Sequence, residues 1–257
     1  RTQQILVWSP MQMPTKRPSE RFFARCDRQM SNKPVLPVGD VVTGPTVAAR
    51  PQAQVHTGSE VILRPIDVDL DGDPLFAAGH GTDGKWIWTY MPYGPFDDHA
   101  QMRLWLRESS GSADPRFFTV CQQPDAKPVG LVSYLSIAAE QRSIEVGHIW
   151  YSPQVQRTAV NTESIFLLLQ HAFDDLGYRR VEWKCDALNA RSRAAAERLG
   201  FRPEGIFKQH RIVRGRNRDT AWFAMMDHDW PAIQRSMQRW LGTAQSERGS
   251  LRDLTAN

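Results

Sequence analysis

The segment from Ile144 to Asp186 constrains the fold more than any other part of the chain. It reads as an apolar strand, SIEVGHIWYS, then a Pro-containing turn, then a helix, then a second strand, RRVEWKCD. Ile165, Leu168, Leu169, Ala172, Phe173 and Leu176 recur at helical spacing, and Gly177 follows as the stop. Val181, Trp183 and Cys185 alternate with Glu182, Lys184 and Asp186, which is the period of a half-buried strand. A strand, helix and strand in direct succession predict two parallel neighbours joined by a right-handed crossover.

The flanks predict an otherwise antiparallel sheet. Upstream, EVILRPI reads as a strand, DVDLDGDPLFAAG as an acid-capped helix, and Asp97 to Ser109 as a second helix. RFFTVCQ, PVGLVSYLSI and SIEVGHIWYS then follow with turn-length connectors, a meander. Downstream, Asn189 caps the helix ARSRAAAERLG. EGIFKQHRIV and TAWFAMMD form a hairpin about the turn RGRNRD, and Pro231 opens a closing helix. The expected fold is mixed α/β, mostly antiparallel, with a central parallel strand pair, flanking helices and a single core.

The boundaries follow from where these periods stop. Residues 1–57 carry neither period and read as an extended N-terminal segment; 58–230 hold the periodic elements; 231–257 hold the closing helix and a tail. Within the first segment Met30 resembles a natural start, so residues 1–29 are either an extension outside the fold or a disordered basic arm.

Bulk properties exclude several classes. The 257 residues are 41% hydrophobic, enough to fill a core. Lys and Arg outnumber Asp and Glu by 32 to 28, a formal +4 that mildly favours anionic ligands and is too small to argue for nucleic acid. Three scattered cysteines suit neither a disulfide framework nor a zinc site and point to a reducing compartment, the cytoplasm. The seven histidines show no metal-ligand spacing, and no apolar run approaches the ~20 residues of a membrane span.

Over Gly58 to Trp230 the chain resembles the GNAT superfamily of acyl-CoA N-acyltransferases, in the branch that acetylates ribosomal-protein N-termini. The residues that carry the resemblance are EVGHIWYSP, the TES helix start, GYRRVEWKCDALNARSRAAAERLGF and RPEG. It implies the GNAT fold, acetyl-CoA as acyl donor without a metal, and direct attack by a peptide or small-molecule amine. Dimers are common among such proteins, so a homodimer is open. A catalytically degenerate acyl-CoA-binding sensor is the alternative.

In that family the loop after the fourth strand holds the CoA pyrophosphate on backbone NH groups and is usually glycine-rich. The matching positions here are Gln156, Arg157, Thr158, Ala159, Val160, Asn161 and Thr162, with no glycine. Ala159 meets the size requirement and Asn161 tolerates a left-handed backbone. Arg157 and Thr158 add a charge and a hydroxyl beside the helix N-terminus. Glu163, in the same first turn, competes with an anion for the helix dipole.

The resemblance also implies splayed strands over Glu145 to Tyr151, with Gly147 relaxing the ladder and Ile149 and Tyr151 offering backbone contacts to pantetheine. Glu145 and His148 are the candidate bases, with Asp186 a weaker third. Lying three apart on a strand, the first two face opposite sides unless a bulge at Gly147 re-aims one. Ser192 is the candidate beside the CoA sulfur and Asn189 beside the pantetheine amides; the tyrosine that many GNAT enzymes use for the leaving group has no matching position. Arg191 and Arg193 are placed for CoA phosphates. Trp86, Trp88, Tyr90 and Tyr93 form either an aromatic wall for the substrate amine or core packing. Arg214, Arg216 and Arg218 serve an acidic acceptor, the CoA 3'-phosphate, or only a solvated hairpin tip. Cys185 reads as a buried strand thiol.

Overall fold

The computed structural model describes residues 36–81 and 84–255, apart from the Lys85 side chain. The chain divides into two units, residues 1–43 and 44–257. Of the first, residues 36–43 are described, and they are exposed and without regular structure. The expectation for residues 1–29 lies outside the described residues.

The second unit is built on one eight-stranded sheet in the order β1-β2-β3-β4-β5-β6-β8-β7. The strands β1 (His56–Thr57), β2 (Val61–Arg64), β3 (Arg116–Gln122), β4 (Lys127–Ala138) and β5 (Ser143–Tyr151) run antiparallel in succession. Strand β6 (Arg180–Asp186) joins β5 in parallel, across the helix α3 (Ala159–Gln170). The hairpin β7 (Arg202–Val213) and β8 (Arg216–Met226) completes the sheet through β8. Helices α1 (Val68–His80), α2 (His99–Ser110), α4 (Ala190–Arg198), α5 (Trp230–Gly242) and α6 (Leu251–Thr255) flank it. The mixed, mostly antiparallel architecture with one parallel pair is the one the sequence predicts.

Three sequence expectations need correction. The described residues form two apolar clusters rather than one: α3 to α6 pack on the larger, while Leu75, Trp88, Met91, Phe96, Met102, Leu106, Leu131 and Trp150 form the second. Neighbours Leu131 and Val132 belong to different clusters, so the two lie on opposite faces of the sheet. The hairpin turn is only Arg214 and Gly215, both left-handed (φ 50° and 71°), and β8 begins at Arg216. Finally, α3 ends at Gln170 and a wider π turn, His171–Asp175, leads to Gly177. That turn sets the His171 ring 3.2 Å from Gln54 and 2.8 Å from Asp175.

Two buried carboxylates fix the helices that frame the site. Asp71 of α1, with no exposed surface, accepts from Arg64 at 3.0 Å, Thr119 at 2.7 Å and the Asp67 amide at 2.8 Å, which ties α1 to β2 and β3. Glu163 of α3 accepts from the Ser59 amide (2.9 Å) and hydroxyl (2.8 Å) and from the amides of Glu60 (2.6 Å) and Val61 (2.8 Å). Gly58 permits this approach, because a Cβ there would lie 2.3 Å from Glu163 Cδ. The Glu163 carboxylate is therefore occupied by the β1–β2 turn, which answers the expectation that it competes with an anion at the start of α3.

Candidate active site

The parallel ladder of β5 and β6 is short. It pairs Ser143, Ile144 and Glu145 with Arg180, Val181 and Glu182, and beyond that rung the strands part although both continue. β5 stays hydrogen-bonded to β4 as far as Tyr151. Its Val146–Tyr151 backbone thus presents to the cleft an edge that β6 does not cover.

A bulge sits in the same stretch. Ser133 pairs with Gly147 and Leu131 with Trp150, so β5 carries one residue more than β4 between these rungs. The left-handed residue is His148, with φ 51°, whereas Gly147 lies outside the positive-φ region; the bulge is thus centred one residue later than expected. Its consequence is a change of parity. Ile144 and Val146 reach the larger cluster before it, and Ile149 and Tyr151 after it, while Trp150 joins the second cluster. Glu145 and His148, three residues apart, consequently line one cavity.

Three cavities follow one another along this cleft. The first, of about 230 Å³, holds Glu145, His148, Lys184 and Asp186. It shares Tyr90, Ile149, Trp183, Asn189 and Ser192 with a second of about 530 Å³ beside the open β5 edge. That one shares Trp86, Tyr151, Gln156, Asn161 and Arg191 with a third of about 730 Å³ at the N-terminus of α3.

At the first end, Glu145 Oε2 accepts from Lys184 Nζ at 2.8 Å and Ser136 Oγ at 3.1 Å, which leaves Oε1 open to the cavity among the described residues. Lys184 also contacts Glu182 at 2.6 Å. The His148 ring packs between Tyr93 and Phe117, at centroid distances of 5.6 and 5.0 Å. Burial pushes its pKa down to about 4, so the imidazole is neutral at neutral pH. The four aromatic candidates separate. Trp88 is 1% exposed, donates to the Gly79 carbonyl at 2.9 Å and belongs to the core. Tyr93 stacks on Trp105 at 4.1 Å with its hydroxyl buried. Tyr90 and Trp86 line the cleft, the latter on the side of the third cavity under the Arg191 guanidinium, 4.1 Å away.

Ser192 stands where the first two cavities meet. Its Oγ accepts from Trp183 Nε1 at 3.0 Å, and its hydroxyl lies within hydrogen-bonding reach of the Cys185 thiol. Asn189 caps α4 by accepting from the Ser192 amide at 3.1 Å. Tyr90, one of the aromatic candidates, donates its hydroxyl to the Leu188 carbonyl at 3.2 Å and shares this junction, which it reaches from a loop about a hundred residues upstream.

At the far end, the left-handed residue of the glycine-free loop is Arg157, φ 64°, while Asn161 is helical. Thr158 caps α3, accepting from the Val160 amide at 3.3 Å. Ala159, Val160 and Thr162 are buried in the first turns, and Thr162 Oγ1 accepts from Arg198 at 2.8 Å. Gln156 donates to the Tyr151 carbonyl at 3.2 Å. Asn161 Oδ1 is buried without a partner while its residue lines the second and third cavities. Arg191 and Arg198 line the third cavity, whereas Arg193 bends to the Ala187 carbonyl at 3.4 Å and lines none of the three. Sequence reading missed Arg198 and the C-terminal Trp240, Ser250 and Leu251, which wall the third cavity from elements remote in the chain.

These features suit a long cosubstrate with an anionic end and an amide-bearing arm. The first-turn amides of α3 lack intrahelical partners, the open β5 edge offers strand-like pairing, and Asn161 Oδ1 awaits a donor. Among the described residues no group of three or more His, Cys, Asp or Glu is placed to hold a metal, and no helix is long and apolar enough to cross a membrane.

The sequence model of the acetyltransferase (GNAT) domain matches residues 60–202. A crystal structure of a GCN5-related N-acetyltransferase from Brucella melitensis is 38% identical, with a TM-score of 0.80 over 82% of this chain and 98% of that one. A GNAT-family structure from Chromobacterium violaceum is also 38% identical, with a TM-score of 0.71 over 78% of this chain and 100% of that one. Among curated proteins, one from Bacillus subtilis provisionally named a ribosomal N-acetyltransferase is 26% identical over 106 residues, 41% of this chain and 57% of its own length. The match thus spans little more than half of that relative. These matches accompany the parted strands, the bulged β5 and the cleft between them, and the chain belongs to the GNAT family of acetyl-CoA-dependent N-acyltransferases.

Proposed function

We propose that this protein transfers the acetyl group of acetyl-CoA to a primary amine, a peptide N-terminus or a small-molecule amine, by direct attack in a ternary complex. The observation that carries this reading is the parting of β5 from β6 after Glu145 and Glu182, which opens one cleft from the Glu145 cavity to the start of α3. The cosubstrate would lie along it. Arg157, Arg191, Arg198 and the first-turn amides of α3 would hold its phosphates, and Asn161, Ile149 and Tyr151 its amide arm, supplying the thioester to the junction at Ser192.

The chain's own groups then have distinct tasks. The amine enters by the first cavity, where Glu145 Oε1 receives its proton and the neutral His148 ring orients it. The β5 amides beyond Glu145 face the carbonyl oxygen as it gains charge. The Ser192 hydroxyl donates to the departing sulfur. The similarity to the Bacillus subtilis relative favours an α-amino acceptor and a cytoplasmic setting.

Release of thiol from acetyl-CoA, followed over a panel of peptide N-termini, polyamines and small amines, tests the reading. Turnover with at least one class supports it. Tight binding of acetyl-CoA with no release across the panel overturns it in favour of an acyl-CoA-binding sensor.

A further inference from the structure

The outer wall of the acceptor cavity is irregular in a costly way. In the β7–β8 hairpin Phe207 pairs with Thr220 and the next rung pairs Arg211 with Arg218, so three residues of β7 oppose one of β8. The bulge is held by Asp219, which accepts from the Gln209 amide (2.8 Å), Asn217 (3.0 Å) and Lys208 (2.9 Å), and Gln209 itself is left-handed at φ 50°. His210 is fixed by Thr220 Oγ1 at 2.9 Å. A regular hairpin would keep two more rungs and avoid the strained backbone.

The bulge brings His210, Arg211 and Arg218 to the wall of the cavity that holds Glu145 and His148. Like charges directly across an antiparallel pair destabilise it, and here two arginines occupy one rung. Among the described residues neither arginine forms an ion pair with an acid of the cavity; Glu145 pairs with Lys184, and Asp186 accepts from the Leu188 amide at 2.9 Å. Arg218 Nε is buried with no hydrogen-bond partner. Neither arginine lines the cavity at α3, so the cosubstrate's phosphates do not account for them.

We propose that Arg211 and Arg218 form an anion-recognition subsite in the acceptor cavity, so that the preferred amine acceptor carries a carboxylate or phosphate group beside its reactive amine. The inference rests on reading the first cavity as the acceptor side. Guanidinium groups match such anions with paired donors, and a bound anion converts a repulsive rung into a shared charge-assisted contact. Asp219 acts as a positioning residue, because it holds the bulge that aims the pair.

The test compares matched acceptors: the tripeptide amides Ala-Glu-Ala and Ala-Gln-Ala with free N-termini, and phosphoethanolamine against ethanolamine. The anionic member of at least one pair is expected to be favoured in kcat/KM on the order of tenfold, with the larger preference distinguishing carboxylate from phosphate. Arg211→Gln and Arg218→Gln should each bring that ratio toward one, chiefly through KM, without lowering the melting temperature. Equal use of both members of both pairs by the native protein, or an equal loss on both members in the variants, overturns the proposal. Calorimetric binding of the same four acceptors and of acetyl-CoA separates the two readings. Failure to bind acetyl-CoA sinks the acyl-transfer reading, while the charge preference is still read from the acceptor isotherms.

Discussion

Glu145 and Glu182 face each other in the last parallel rung of β5 and β6, and the Lys184 ammonium lies 2.8 Å from the first carboxylate and 2.6 Å from the second. The side chains are 8%, 14% and 13% exposed, so two like charges share one largely buried counter-ion at the point where the strands part. Burial pushes the Glu182 carboxyl up, but Lys184 and Arg180 outweigh it and hold it below its ordinary value. Lys184 of β6 thereby links the two strands through Glu145 at the mouth of the cleft. Replacing Lys184 by Met leaves both carboxylates without that partner. A loss of about 3 kcal/mol or more in urea unfolding is expected. The double variant Lys184→Met with Glu145→Gln should regain part of it, and additive losses would show that the three groups do not act together.

The proposed division of labour between Glu145 and His148 predicts the shape of the pH–rate curve. His148 is protonated only below about 4, so it contributes no inflection between pH 5 and 8, unlike a histidine at the ordinary value of 6.5. Glu145→Gln should lower kcat on the order of a hundredfold. His148→Phe should lower kcat/KM while leaving the curve's form between pH 5 and 8 unchanged. A curve with a limb near 6.5 that disappears in the His148 variant would reverse the assignment.

Much of this fold is legible from residue order, and the parts that are not share a cause. Val181, Trp183 and Cys185 alternate in burial as the sequence predicts, because β6 has one dry face and one polar face. β5 is largely buried on both faces, so its residues carry no alternation from which a parity change at His148 could be read. Arg157 and His148 adopt left-handed backbones, which are uncommon for any residue other than glycine, and nothing in their sequence neighbourhood marks these two positions. The aromatic loop holding Trp88, Met91 and Phe96 has no period, so the second cluster is visible only after α1 and α2 close over it.

Arg157 offers a way to separate backbone from charge in the glycine-free loop. Its φ of 64° is a conformation that glycine adopts without a Cβ penalty, so Arg157→Gly should raise unfolding stability by about 1 kcal/mol. The same change removes a guanidinium from the cavity at α3. Acetyl-CoA affinity, measured by calorimetry, should fall on the order of tenfold while stability rises. Unchanged affinity would mean that the amides of α3 and the remaining arginines hold the phosphates without it.

His56 predicts a stability loss in mild acid that has no connection to the cleft. Its ring lies 4.7 Å from the His171 ring and 5.5 Å from Phe118, with Nε2 buried and unpartnered. Burial and the neighbouring His171 push its pKa from 6.5 to about 4, against a smaller opposing pull from Asp175. The unfolded chain therefore binds more protons between pH 6.5 and 4, and stability must fall as the pH is lowered through that window. Above 6.5 the contribution is fully present, and below 4 it loses nothing further. His148, depressed to the same value, adds a parallel loss. Urea midpoints taken from pH 7.5 down to 5 should decline in the native protein and decline less steeply in His56→Phe, which keeps the edge contact to Phe118 and removes the proton site. An unchanged slope in that variant would place the acid sensitivity elsewhere.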